Sequence, residues 1–193
     1  MYDIFFQKFN EKVSLTAEEE DFIKQYLTPK KLRKRQYLLQ EGDVCKHICL
    51  VEKGALKAYL IDEKGNESIT AFALEGWTIS DLSSFFKQLP ATLNIDALED
   101  CELVLISKAA HEELLQKMPK YETYMRLLIT DAYVALQQRM TYVLHLPLEE
   151  RYKAFTQMCQ SIYQRVPQHM IASFMGLSPE TLSRVRSRIS NKK

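Results

Sequence analysis

No stretch of this chain of 193 residues approaches the ~18 to 20 consecutive apolar residues of a membrane span. A helical membrane protein is therefore not expected. The opening residues, MYDIFFQKFNEKVS, lack the basic start, long apolar core and small-residue cleavage site of a secretory leader. The cytoplasm is the expected compartment. The four cysteines, Cys45, Cys49, Cys101 and Cys159, form no CxxC pair and no ligand cluster with His47, His111, His145 or His169. Reduced core or near-surface cysteines are expected, with no metal site. Paired carboxylates, a nucleophile–base motif and a phosphate-cradling loop are all missing, which argues against an enzyme. Net charge is only +1. What remains is a globular composition, 46% hydrophobic and 26% charged, in a chain long enough for one large domain or two small ones.

The small net charge is unevenly placed. From Arg165 to Lys193 six basic residues face one acid, Glu180, for a balance of +5, and the first 164 residues carry −4. A basic end on a mildly acidic body suits a nucleic-acid contact confined to that end. Within it, QHMIASFMGLSPETLSRVRSRI reads as two short helices and a tight turn. Pro167 suits a first helical turn, and Ile171, Ala172 and Met175 repeat at helical spacing. Gly176 stands where the turn needs positive φ. Ser178 is a natural N-cap, followed by Pro179. Leu182, Val185 and Ile189 form an apolar stripe. The opposite face carries Glu180, Thr181, Ser183, Arg184, Ser187 and Arg188. This is the pattern of a helix-turn-helix whose second helix enters a major groove. Arg184 can fork onto guanine, Glu180 can accept from cytosine N4, and the hydroxyls of Ser178, Thr181 and Ser183 reach phosphates, as do Arg186 and Arg188. The alternative is an ordinary helical hairpin with a basic surface.

Earlier in the chain, residues 2–10 read as a short helix with Ile4, Phe5 and Phe9 inward. Thr16 and Glu19 form a capping box for a second helix, with Phe22, Ile23 and Tyr26 buried and Pro29 at its end. The basic run KKLRKR at 30–35 reads as the solvated edge of a first strand, rather than a second nucleic-acid contact. From Gln36 to Ile106, short apolar or alternating runs are punctuated by turn signals at Gly42, Gly54, Gly65 and Gly76, which predicts an antiparallel barrel, sandwich or roll. The segment TISDLSSFFKQLPATLNIDA interrupts that rhythm. Ser80 or Asp81 would cap a short helix, and Ala91-Thr92-Leu93 would open the next strand. Ser80, Asp81, Leu82, Ala91 and Thr92 are thus the candidate effector pocket. Ser107 caps a further helix to about Met118. A long helix then runs from about Lys120 to His145, with Met125, Ile129, Ala132, Leu136, Met140 and Val143 in a seam of coiled-coil type. That seam would either pack on the chain's own core or join two copies, and its length favours a homodimer. Pro147 breaks the helix and opens another, to about Tyr163, with Tyr152, Phe155, Met158, Cys159 and Ile162 as its core.

The sum is an α+β chain: a β-roll with flanking helices over 1–118, a dimerisation helix over 119–146, and a helix-turn-helix unit over 147–193. It resembles the cyclic-AMP receptor and FNR (Crp/Fnr) family of bacterial transcription regulators over essentially its whole length. The turn glycines, Ile79-Ser80-Asp81-Leu82 and IASFMGLSPETLSRV at 171–185 carry the resemblance, the last in a form like that of Bacteroidetes regulators. It implies a cyclic-nucleotide-binding-type roll, base reading by Glu180 and Arg184, a homodimer on double-stranded DNA with an inverted repeat, and RNA polymerase as a further partner. Pro179 replaces another base-reading arginine of the family.

The family's cyclic-nucleotide binders carry Gly-Glu and Arg-Ser or Arg-Thr pairs where this chain has Ser80-Asp81 and Ala91-Thr92. Losing the arginine from a buried phosphate costs about 2–5 kcal/mol, roughly 30-fold to several thousand-fold in affinity. A response to cyclic AMP by the usual contacts is therefore not expected, and no cofactor is expected, although another small effector remains open. The iron–sulfur branch uses a cysteine cluster ahead of the roll, and none precedes Cys45; no residue is marked as a haem ligand. Only about five residues separate Tyr163 from the helix of Ile171, too few for the usual β-hairpin wing. Sequence-specific transcription regulation is the expected function, against a sensing or protein-interaction module of the same fold that no longer reads DNA.

Overall fold

The computed structural model describes residues 2–190, apart from the Met158 side chain. Lys192 and Lys193 of the basic end lie outside the described residues. Two helices, α1 (Asp3–Asn10) and α2 (Ala17–Lys24), precede eight strands: β1 (Leu27–Leu32), β2 (Tyr37–Leu39), β3 (His47–Lys53), β4 (Leu56–Ile61), β5 (Glu67–Ala73), β6 (Thr78–Ile79), β7 (Asn94–Ala97) and β8 (Cys101–Ser107). Helix α3 (Leu82–Lys87) sits between β6 and β7. Then follow α4 (Lys108–Lys117), α5 (Pro119–His145), α6 (Leu148–Met158), α7 (Gln160–Arg165), α8 (Gln168–Phe174) and α9 (Pro179–Ser190).

The strands form two antiparallel sheets, ordered β1-β8-β3-β6 and β2-β7-β4-β5. The main core cluster includes Leu39, Ile48, Leu56, Ile95, Leu103 and Val104 from these strands. Helix α1 caps one side, burying Phe5, Phe6 and Phe9. Its N-terminal N–H groups are satisfied from a distance: the Glu52 carboxylate accepts from Ile4 N at 3.2 Å and Phe5 N at 2.7 Å. Phe9 stacks on Tyr124 of α5, with ring centroids 4.1 Å apart. The start of the long helix is thereby fixed to the roll.

A second apolar cluster lies outside the roll. Tyr59, Ile69 and Phe72, on the outer face of the β2-β7-β4-β5 sheet, pack with Tyr152, Ile162, Ile171, Leu182 and Val185 of the C-terminal helices. Strand β4 is thus covered on both faces, which is why it reads as the near-continuous apolar run ALKAYL.

The mixed class and the roll with C-terminal helices are as read from sequence, and the Thr16–Glu19 capping box is present. Three local readings change. Pro29 does not end α2 but lies within β1, an edge strand, where its missing N–H costs no ladder bond. The helix read from Leu148 to Tyr163 is broken at Cys159 (φ −120°, ψ 42°) into α6 and α7. Pro167 is the N-cap of α8 rather than its first helical residue.

Candidate nucleic-acid interface and nucleotide cassette

The C-terminal motif takes the shape its residues dictate. Gly176 has φ +70°, the left-handed value for which glycine carries no Cβ penalty. Ala172 and Ile171 are fully buried, so α8 and α9 cross closely. The Ser178 hydroxyl accepts from Thr181 N at 3.2 Å and lies 3.1 Å from the Thr181 hydroxyl. Pro179 opens α9, and Leu182 and Val185 are buried beneath it.

Glu180, Ser183, Arg184 and Arg188 are exposed on the outer side of α9, and Thr181 is half-buried. Glu180 is held below the usual carboxylate range by its own backbone N–H, then by the Ser178 hydroxyl and the charge of Arg184. It is therefore an ionised acceptor near neutrality. Arg184 makes no ion pair among the described residues. Arg186 is directed back to α8, donating to Gln168 Oε1 at 3.1 Å. Arg188 lies 4.0 Å from Glu149, a solvent-exposed contact of small energetic weight. Among the described residues no strand follows β8, so the motif carries no hairpin wing there.

The motif is seated on the roll by contacts that sequence reading missed. Ser173 Oγ donates to Glu67 O at 2.8 Å and accepts from Ile69 N at 3.0 Å. It thereby occupies the free backbone groups of β5, the edge strand of its sheet. Arg165 bridges Glu75, at 2.6 Å, and Glu99. Arg139 of α5 donates to Thr70 O at 2.7 Å and Phe174 O at 2.8 Å, with its guanidinium 3.9 Å from the Phe174 ring centre. A serine among helix residues carries no signal for this role. The paired acids Glu75 and Glu99 opposite Arg165 become meaningful only once the chain is folded.

In the cassette, Asp81 is the helix cap and Ser80 is not. Asp81 is buried; its Oδ1 accepts from Ser84 N at 2.9 Å, and its Oδ2 from Thr92 N at 3.4 Å. Ala91 is buried too, whereas Leu82 is 45% exposed. The five candidate pocket residues are thus brought together around the start of α3. The N–H groups there already face a carboxylate. On α5, Met125 is buried in the chain's own core. Ile129, Leu136, Met140 and Val143 are exposed, as are Tyr133 and Leu144, and so is Ala132. The exposed stripe therefore begins at Ile129.

A roll, a long helix and a helix-turn-helix thus follow one another along the chain. Residues 29–118 match the family model described as cyclic nucleotide-binding domain. The chain is 28% identical over 189 residues to the anaerobic regulatory protein of Haemophilus influenzae, covering 91% of this chain and 72% of that one. It is 27% identical to the fumarate and nitrate reduction regulatory protein of Vibrio cholerae (91% and 74% covered). Against the transcriptional activator protein anr of Pseudomonas aeruginosa the identity is 25% (91% and 76% covered). Among solved structures, FixK2 from Bradyrhizobium japonicum superposes with a TM-score of 0.70 at 18% identity, over 86% of this chain and 85% of that one. The c-di-GMP responsive regulator CLP of Xanthomonas campestris gives 0.69 at 15% identity, with 90% of each chain covered. Residues 29–118 thus match a cyclic nucleotide-binding domain, and 91% of the chain is similar to bacterial proteins named as regulators.

Proposed function

We propose that this protein is a homodimeric, sequence-specific DNA-binding transcription regulator that does not respond to cyclic AMP through the usual cassette contacts. The observation that carries the reading is α9: an exposed polar face with ionised Glu180 and an Arg184 that has no ion pair among the described residues, held by a buried apolar stripe behind a positive-φ glycine. Glu180 and Arg184 read base edges; Ser178, Thr181, Ser183 and Arg188 position the backbone. Arg186 joins them once it leaves Gln168. The relatives named as regulators support the same reading.

In this proposal residues 1–118 form the sensor roll, 119–146 the dimerisation helix and 147–193 the DNA-binding unit. The stripe from Ile129 to Leu144 is the dimer seam, since an apolar patch of this kind rarely stays open on a monomer. Pairing would set two α9 helices in successive major grooves, ~34 Å apart, on an inverted repeat. RNA polymerase is a further proposed partner, and the cytoplasm the proposed compartment. Among the described residues no helix is long and apolar enough to cross a membrane.

The cassette does not fit a cyclic phosphate. Asp81 places its own negative charge at the N–H groups of Ser84 and Thr92, and Ala91 supplies no cation. No step of the proposed function therefore passes through a bound nucleotide.

Quantitative DNA binding over a salt series tests the assignment. Arg188→Ala should weaken all sequences alike and reduce the salt slope by about 1, while Arg184→Ala should cost about 1–3 kcal/mol and relax sequence preference. Salt-independent or negligible binding by the wild-type protein would reject the function.

A further inference from the structure

Beside the joint between α5, β5 and the helix-turn-helix lies an open apolar cavity of about 430 Å³. That is within the roughly 300–1,000 Å³ of small-molecule sites. Trp77, Leu136, Phe155 and Phe174 give it apolar walls, and Arg139 and Arg151 supply its only charges; no Asp or Glu lines it among the described residues. Both arginines are half-buried. Each donates only to carbonyl oxygens: Arg139 to Thr70 O and Phe174 O, Arg151 to Met175 O at 2.9 Å. Neither forms an ion pair among the described residues.

This charge pattern is costly. Desolvating a cation without its counter-ion is unfavourable. Burial, and then the nearby charge of Arg151, lower the pKa of Arg139. The carbonyls at the end of α8 offset part of this, but a helix end supplies only about half an elementary charge, against two guanidiniums. Two forked donors with no carboxylate, set in apolar walls, lack an anion whose body is itself apolar.

We propose that this cavity binds a small carboxylate with an apolar body, its carboxylate held by Arg139 and Arg151 and its body against Trp77, Phe155 and Phe174. The site lies outside the nucleotide cassette, and it does not depend on whether the chain reads DNA. Because Arg139 also bonds β5 and α8, the ligand would engage the joint that seats the helix-turn-helix on the roll.

Trp77 is the chain's single tryptophan and reports on the cavity directly. The test titrates the full chain, without DNA, with sodium octanoate and separately with 1-octanol, following Trp77 emission. Octanoate should give a saturable change and bind at least about tenfold more tightly than the alcohol, as loss of a charge-assisted pair implies. Arg151→Gln, checked for an unchanged melting curve, should weaken octanoate by at least about tenfold and leave the alcohol unaffected. No saturable change with octanoate, or equal affinity for acid and alcohol, would overturn the proposal. So would a response in a Met140→Glu monomer, altered on the seam but outside the cavity lining, that is missing from the wild-type dimer, because the second copy would then fill the cavity. The wild-type acid-versus-alcohol comparison decides the matter even if Arg151→Gln fails to fold.

Discussion

The Ser173 hydroxyl accepts a hydrogen bond from the Ile69 N–H at 3.0 Å, across 104 positions of sequence. It joins the first helix of the helix-turn-helix to the edge strand of the roll, so the two halves share hydrogen bonds from a side chain to the backbone as well as apolar contacts. Ser173→Ala should cost about 1 kcal/mol, the usual net value of such a bond, and should speed hydrogen exchange at the Ile69 amide. Unchanged exchange there would show that the bond does not hold the two halves together.

The two glycines Gly176 and Gly54 should respond differently to alanine. At Gly176 a Cβ meets no atom within 4 Å, so only the positive φ is penalised, at about 1–2 kcal/mol. At Gly54, φ is +101° and a Cβ would lie 2.6 Å from Cys101 Sγ and 2.8 Å from Asp100 O. Denaturant unfolding should show Gly54→Ala as the more destabilised variant; the reverse order would contradict the packing around the β3–β4 turn.

His111 supplies a pH dependence. Burial, then the charge of Lys108, push its pKa below the ordinary 6.5. Its ring packs on Phe85 and Phe86, with Nδ1 2.9 Å from the Tyr121 hydroxyl. The unfolded chain then takes up the proton more readily than the folded one. The contribution of His111 is fully present above pH 6.5 and is lost as pH falls from there through the folded pKa. Melting temperature should drop across that window, and less so in His111→Gln. An equal slope in both proteins would assign the effect elsewhere, for instance to His47, whose pKa is also lowered, chiefly by burial.

On α5, Leu136 and Met140 are 62% and 63% exposed. Leu136→Glu should leave the fold intact and convert a dimer to a monomer at equal concentration, since an ionised carboxylate buried in an apolar seam costs several kcal/mol. Light scattering after size exclusion reads the outcome. A wild-type monomer, or an unaffected dimer in the variant, would remove the seam from this face.

Much of this was legible in residue order. Ala172, Gly176, Ser178, Leu182 and Val185 specify the motif by local rules, of spacing, positive φ and capping. Asp81 and Ala91 likewise mark an altered cassette from sequence, although only the folded chain shows that Asp81 closes on Ser84 and Thr92. What sequence did not disclose is non-local. Met125 belongs to the same helical stripe as Ile129, yet it is buried because α1 and the roll cover the first turns of α5. Pro29 read as a helix stop because its neighbour across the sheet, Val104, is far away in sequence. Arg139 sits on a helix flank where nothing local distinguishes a solvated arginine from one bonded to two backbone carbonyls. Pair contacts made by tertiary packing leave no periodic trace.

The most direct test of the central claim is selection of fragmented genomic DNA on the purified protein at roughly 150 mM salt, without added ligand and with Arg184→Ala in parallel. Recovery of fragments sharing an inverted repeat, blurred or lost in the variant, is the expected result. A shared motif recovered equally by the variant would contradict base reading by Arg184, and recovery of no shared sequence by the wild-type protein would contradict sequence-specific regulation by the unliganded dimer.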